Sequence, residues 1–74
     1  MPKEQLKELI KALGFVEIYS KNPYMVSFWR EEAQDPRVNV YFTTMTVQIQ
    51  WRDGYSEVHK DVDSVQLEEL LSKV

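Results

Sequence analysis

The sequence predicts an α+β fold with two layers: a helix, an antiparallel meander of four or five strands, and a second helix, with both helices on one sheet face. Three observations predict it. The run Arg37–Trp51 alternates apolar and polar residues, the period of a strand with one buried face. The two ends of the chain carry apolar residues at helical spacing. Between two alternating segments stands Asp53-Gly54, a strong short-range hairpin signal. The 74 residues allow one domain, 1–74, with one core. A chain this short buries only about 60% of its unfolded surface.

The first helix is expected over Pro2–Leu13. Leu6, Leu9, Ile10 and Leu13 form one stripe, Pro2 suits the first turn, and Gly14 suits the position just past the end. Lys3, Lys7 and Lys11 then lie on a solvated side. Phe15–Ser20 follows as a short strand, Lys21-Asn22-Pro23 as a turn, and Tyr24–Arg30 as a strand rich in β-favouring residues. Val26 and Phe28 inward would turn Trp29 outward; Met25 and Trp29 inward is the other phase. Glu31–Pro36 has no pattern and reads as a mobile loop.

Within the alternating run the phase slips once. Val38, Val40 and Phe42 share one parity; Val47, Ile49 and Trp51 share the other. A turn or a bulge near Thr44-Met45 would keep both sets on one face. A two-residue type I′ turn at Asp53-Gly54 would pair Arg52 with Tyr55, Gln50 with Glu57, Ile49 with Val58, Gln48 with His59 and Val47 with Lys60. Val58 would then point to the core, and Glu57 and His59 away from it. The last helix starts at Asp63, an N-cap whose capping box is completed by Gln66. Val62 and Leu67 occupy the staple positions, and Leu67, Leu70, Leu71 and Val74 form the buried stripe.

Composition narrows the function classes. There is no cysteine and one histidine, which rules out a disulfide framework, a cysteine-ligated zinc site and a multi-histidine metal site. No metal ligand set and no cofactor is expected. The net charge of −3 and pI near 5.0 disfavour a duplex nucleic-acid binder, which needs cations against phosphates. No apolar run nears the ~20 residues that span a bilayer, and the N-terminus lacks a signal-peptide core, so a soluble, cytoplasmic protein with no membrane contact is expected.

What remains is the sheet face opposite the helices. The expected residues there include Trp29, Arg37, Asn39, Tyr41, Thr43, Gln48, Gln50, Arg52, Tyr55 and His59. Of these Trp29, Arg37, Tyr41, Gln48, Arg52, Tyr55 and His59 are the candidate binding residues. Three readings fit: cross-strand pairs that stabilise the sheet and bind nothing, a protein-binding or self-association surface, and a single-strand nucleic-acid surface of stacking rings and arginines. His59 has the chemistry of a general acid or base, but no nucleophile is placed to use it. Glu31, Glu32 and Asp35 match no calcium loop. The expectation is a non-enzymatic interaction or regulatory domain acting through the open face or an edge strand, as a homodimer or with another protein. Nucleic-acid binding by the same face is the alternative.

One stretch resembles a known family. Lys7-Glu8-Leu9-Ile10-Lys11-Ala12-Leu13-Gly14-Phe15-Val16, followed by Arg30, Arg37-Val38-Asn39-Val40 and a leucine-rich last helix, resembles the HicA-type mRNA interferase toxins, over about half of the chain. These are α-β-β-β-α domains related in fold to double-stranded-RNA-binding domains. The resemblance implies an α+β fold. The family's histidine lies in a Gly-Ser-His turn after the first strand, where this chain has Lys21-Asn22-Pro23-Tyr24. No catalytic residue carries over.

Overall fold

The computed structural model describes residues 2–74. Helix α1 (Lys3–Ala12) leads into β1 (Val16–Ile18), β2 (Met25–Trp29), β3 (Arg37–Tyr41), β4 (Thr46–Gln50) and β5 (Ser56–His59), and α2 (Ser64–Ser72) closes the order. The five strands form one antiparallel sheet in sequence order, with β1 and β5 at its edges.

Both helices cover one face. Leu6 and Ile10 of α1 and Leu67 and Leu71 of α2 are buried with Val26, Phe28, Val38, Val40, Val47 and Ile49 of the central strands. Leu9, Leu13, Leu70 and Val74 pack at the margin of the same cluster. Helix α2 begins as the sequence indicates: the Asp63 carboxylate accepts from the Gln66 amide at 2.8 Å, and the Gln66 side chain accepts from the Asp63 amide at 3.0 Å. Val62 is buried beside Leu67.

The phase slip is a turn. Tyr41 faces Thr46, so the connection is Phe42–Met45, and its even length reverses the parity of buried residues. The Thr44 amide donates to the Tyr41 carbonyl at 3.3 Å, and Met45 adopts φ 53°. Phe42 and Met45 lean back onto the core, and the Val62 amide donates to the Met45 carbonyl at 3.0 Å.

The second hairpin corrects the expected register. Val47 faces His59, Gln48 faces Val58, Ile49 faces Glu57 and Gln50 faces Ser56, one residue off the expected pairing. The loop is Arg52–Gly54. The Gly54 amide donates to the Trp51 carbonyl at 3.1 Å, and the Trp51 amide to the Tyr55 carbonyl at 2.8 Å. Only Gly54 takes positive φ, at 95°, while the Asp53 carboxylate accepts from the Tyr55 amide at 2.9 Å. This is a three-residue loop, a turn followed by a glycine bulge, and not a two-residue turn. The extra loop residue turns β5 over. Glu57 and His59 lie on the helix side, and Val58 lies on the open side, 53% exposed.

Arg30 joins the ends of the two helices. Its Nη1 donates to the Leu13 carbonyl at 3.0 Å, Nη2 to the Leu71 carbonyl at 3.4 Å and Nε to the Val74 oxygen at 2.9 Å. Its guanidinium lies 4.3 Å from the centre of the Phe15 ring. A cation at helix C-termini satisfies carbonyls that have no partner within the helix and opposes the negative end of each dipole. Gly14 makes room for it: φ is 95°, and a Cβ there would stand 2.9 Å from Arg30 Nη1.

Gly14 and Gly54 share a φ but differ in surroundings, since nothing lies within 4 Å of a Cβ on Gly54. Gly54→Ala should cost only the left-handed backbone strain, ~1–2 kcal/mol. Gly14→Ala should cost more, because it also dislodges a guanidinium held by three carbonyls. Urea unfolding of the two variants measures the difference; equal losses would show that the Arg30 clamp is energetically idle.

Candidate functional site

The face opposite the helices is polar but not vacant. Ser27, Asn39, Gln48 and Val58 face one another in a row across β2 to β5, and Arg37, Gln50 and Ser56 form the next row. Ser27 is fully buried and Asn39 is 3% exposed. Asn39 is the hub. Its Oδ1 accepts from Ser27 Oγ at 2.8 Å and Arg37 Nε at 3.1 Å; its Nδ2 donates to Gln50 Oε1 at 2.8 Å and Gln48 Oε1 at 3.3 Å. Two donors and two acceptor sites are thereby filled, the full capacity of an asparagine side chain. Arg37 Nη2 donates to Ser27 Oγ at 3.4 Å and to the Tyr19 carbonyl at 3.5 Å. The centre of this face is a closed hydrogen-bond network covered by its own long side chains.

The candidate residues separate into three groups. Trp29, Arg37 and Arg52 meet in one hollow of about 350 Å³ at the end of β2, β3 and β4, with Gln34, Asp35, Gln50 and Trp51 as its other walls. Trp29 faces Val16 on the open side, which settles its phase, and the Asp35 carboxylate accepts from the Arg52 amide at 3.0 Å. That bond ties the Glu31–Pro36 segment to the β4–β5 loop. Tyr41 and Gln48 lie on the open face away from the hollow. Tyr55 and His59 are not on that face. The one-residue change in register carries both to the parity of Trp51 and Glu57. The Tyr55 ring centre is 5.2 Å from that of Trp51, and its hydroxyl reaches Glu57 Oε2 at 3.3 Å.

His59 borders a second hollow, about 400 Å³, between β5 and α2, lined by Val58, Lys60, Val62, Gln66, Glu69, Leu70 and Lys73. Its Nε2 stands 3.4 Å from Glu57 Oε1 but in no hydrogen-bond geometry, and it is the one covered side-chain polar atom among the described residues without a hydrogen-bond partner. Among the described residues no group of three or more metal-ligating side chains occurs, and no helix is long and apolar enough to cross a membrane.

The two sheet edges differ. At β1, Glu17 lies on the helix side facing Phe28, and Lys7 and Lys11 of α1 reach it at 3.1 and 3.6 Å. The lysine stripe is therefore not wholly solvated; it sets charge beside the β1 edge, and charge on an edge strand is a common guard against strand addition. At β5 no such cover exists. The strand has one neighbour, β4. Antiparallel bonds alternate along a strand. Counting from the Trp51–Tyr55 bond, Glu57 and His59 bond to β4, and Ser56 and Val58 direct their N–H and C=O groups outward.

The chain matches no family model, no curated protein and no solved structure. The site is therefore argued from geometry. The sequence does not show the Asn39 hub, because it depends on three strands meeting in register. It does contain one signal for the β5 edge: a lone valine between Glu57 and His59 gives no apolar set strong enough to fix the register by burial, so loop geometry decides it.

Burial tends to raise the Glu17 carboxyl, but the Lys7 and Lys11 ammoniums outweigh it and hold the group below its ordinary 4.5. A lowered carboxyl adds stability above that ordinary value and loses it as pH falls through the lowered one. Glu17→Gln should destabilise by under ~1 kcal/mol at neutral pH, since the group is near the surface and screened by solvent. The gap from the unaltered protein should close in acid and in high salt. Thermal melts across pH at two salt concentrations test both.

Proposed function

We propose that this chain is a small protein-interaction module whose docking element is the free edge of β5. One observation carries the reading: the two other surfaces on offer are already used by the fold. The open-face centre is hydrogen-bonded to itself through Asn39, and the helix side of β1 carries the Lys7, Lys11 and Glu17 ion pairs. β5 alone combines outward-directed backbone groups, an exposed valine and an adjoining hollow. An extended segment added there would gain main-chain hydrogen bonds, with alternate side chains directed to the hollow against α2 and to Val58. No catalytic role is assigned, because His59 has only Glu57 within ion-pair distance and no nucleophile beside it.

Val58→Pro tests this without breaking the sheet, since that amide faces away from β4 and proline is tolerated on an outward edge. Displayed random peptides selected on the immobilised chain should be strand-forming and should lose at least about tenfold in affinity to the Val58→Pro protein, about one hydrogen bond plus the valine contact. Selected peptides that bind both proteins equally would overturn the reading.

A second reading has its own observation. The Trp29–Trp51 hollow pairs two half-buried indoles with Arg52, whose guanidinium makes no ion pair or hydrogen bond among the described residues. Indole faces and a cation suit a single-stranded nucleic acid, where one stacked base contributes ~1–3 kcal/mol. If this surface works so, Trp29→Ala and Arg52→Ala each weaken binding of a labelled single-stranded oligonucleotide at low salt. Fluorescence anisotropy measures it, and no binding by the unaltered protein at low salt ends the reading.

A further inference from the structure

The geometry points to a specific occupant for the β5 edge: a second copy of this chain, paired antiparallel about a two-fold axis through Val58. The inference rests on β5 being the docking edge and adds the partner and its register.

Three even registers keep the helices of both copies on the same side of the joined sheet; the one centred on Ser56 sets Val58 against the partner's Gly54, off the strand, so the outward backbone groups of Ser56 and Val58 leave two. One is centred on Glu57 and sets that residue opposite the partner's Glu57. Like charges directly opposite are destabilising. The other is centred on Val58. It places Val58 against the partner's Val58 on the open side, Glu57 against the partner's His59 on the helix side, and Ser56 against the partner's Lys60. The Glu57–His59 cross-pair occurs twice by symmetry, as an isologous interface requires.

Three features of the single chain fit this arrangement. Val58 is an exposed aliphatic residue on a polar strand, and the axis covers it in both copies. The His59 side chain is partly exposed and its Nε2 lacks a hydrogen bond within its own chain, so a turn of the ring would give it the partner's Glu57 as an acceptor across the strand gap. The hollow between β5 and α2 leaves space on the helix side for the partner's charged side chains, next to Glu69 and Lys73. The product is a continuous ten-stranded sheet, two copies of the five-stranded one.

The chain has no cysteine, so a single one introduced at the axis reports directly. Opposite residues of a hydrogen-bonded antiparallel pair have Cα atoms about 5.5 Å apart, within disulfide reach. With a mild oxidant supplied, Val58→Cys should cross-link to a covalent dimer far faster than Val65→Cys, a more exposed position on α2. Sedimentation equilibrium of the unaltered protein should show a monomer–dimer equilibrium. Glu57→Lys should raise its dissociation constant roughly tenfold, because the lost pair is counted twice, and adding His59→Glu should restore it. A strict monomer at every concentration, or equal cross-linking at both positions, overturns the dimer. The peptide selection with Val58→Pro then stands apart: peptide binding lost in that variant would keep β5 as a docking edge for another partner, and unchanged binding would remove both.

Discussion

Opposite residues in an antiparallel pair share a face, and the rest of this structure depends on that rule. With five strands in a meander, the face of every side chain is set by the length of the connection before it. The even connection Phe42–Met45 brings Val38 and Val40 onto the same side as Val47 and Ile49, and a core becomes possible. The odd loop Arg52–Gly54 then sets β5, where there is little burial to argue back. One added residue at that loop moves Val58 out of the core and sends His59 toward α2.

The same rule gathers the polar residues. Ser27, Asn39 and Gln48 stand in one row because two pairings agree, and the row closes into a network around Asn39 with Arg37 and Gln50. Buried polar groups require partners, and here the sheet supplies them from within. A face that seems free in the alternation of the sequence is therefore largely part of the fold. What the network leaves unoccupied is the margin: the tryptophan hollow at the ends of β2 to β4 and the β5 edge.

Arg30 plays the matching part in the helix layer. Each helix ends in its own short backbone cap bonds, and one guanidinium just past β2 serves both ends as well while lying over Phe15. It couples α1, α2 and the sheet through one side chain, and a Cβ at Gly14, already disfavoured by its φ, would press on that guanidinium.

By itself the sequence determined the elements and the core. Period-two alternation, two helical stripes and the Asp63–Gln66 capping box are local patterns, and each forms where its residues indicate; the Tyr24–Arg30 pattern allows two phases, and the fold takes the one with Val26 and Phe28 inward. It also placed a turn or a bulge near Thr44-Met45, because keeping both apolar sets on one face requires a change of phase there, and the fold makes it a turn. The tertiary structure alone decided the face of β5, the Asn39 network and the Arg30 clamp. β5 carries too weak an apolar pattern to fix its own register, so one backbone bond at Trp51–Tyr55 settles it, and the network and the clamp join residues from strands and helices that only the folded chain brings within hydrogen-bond reach.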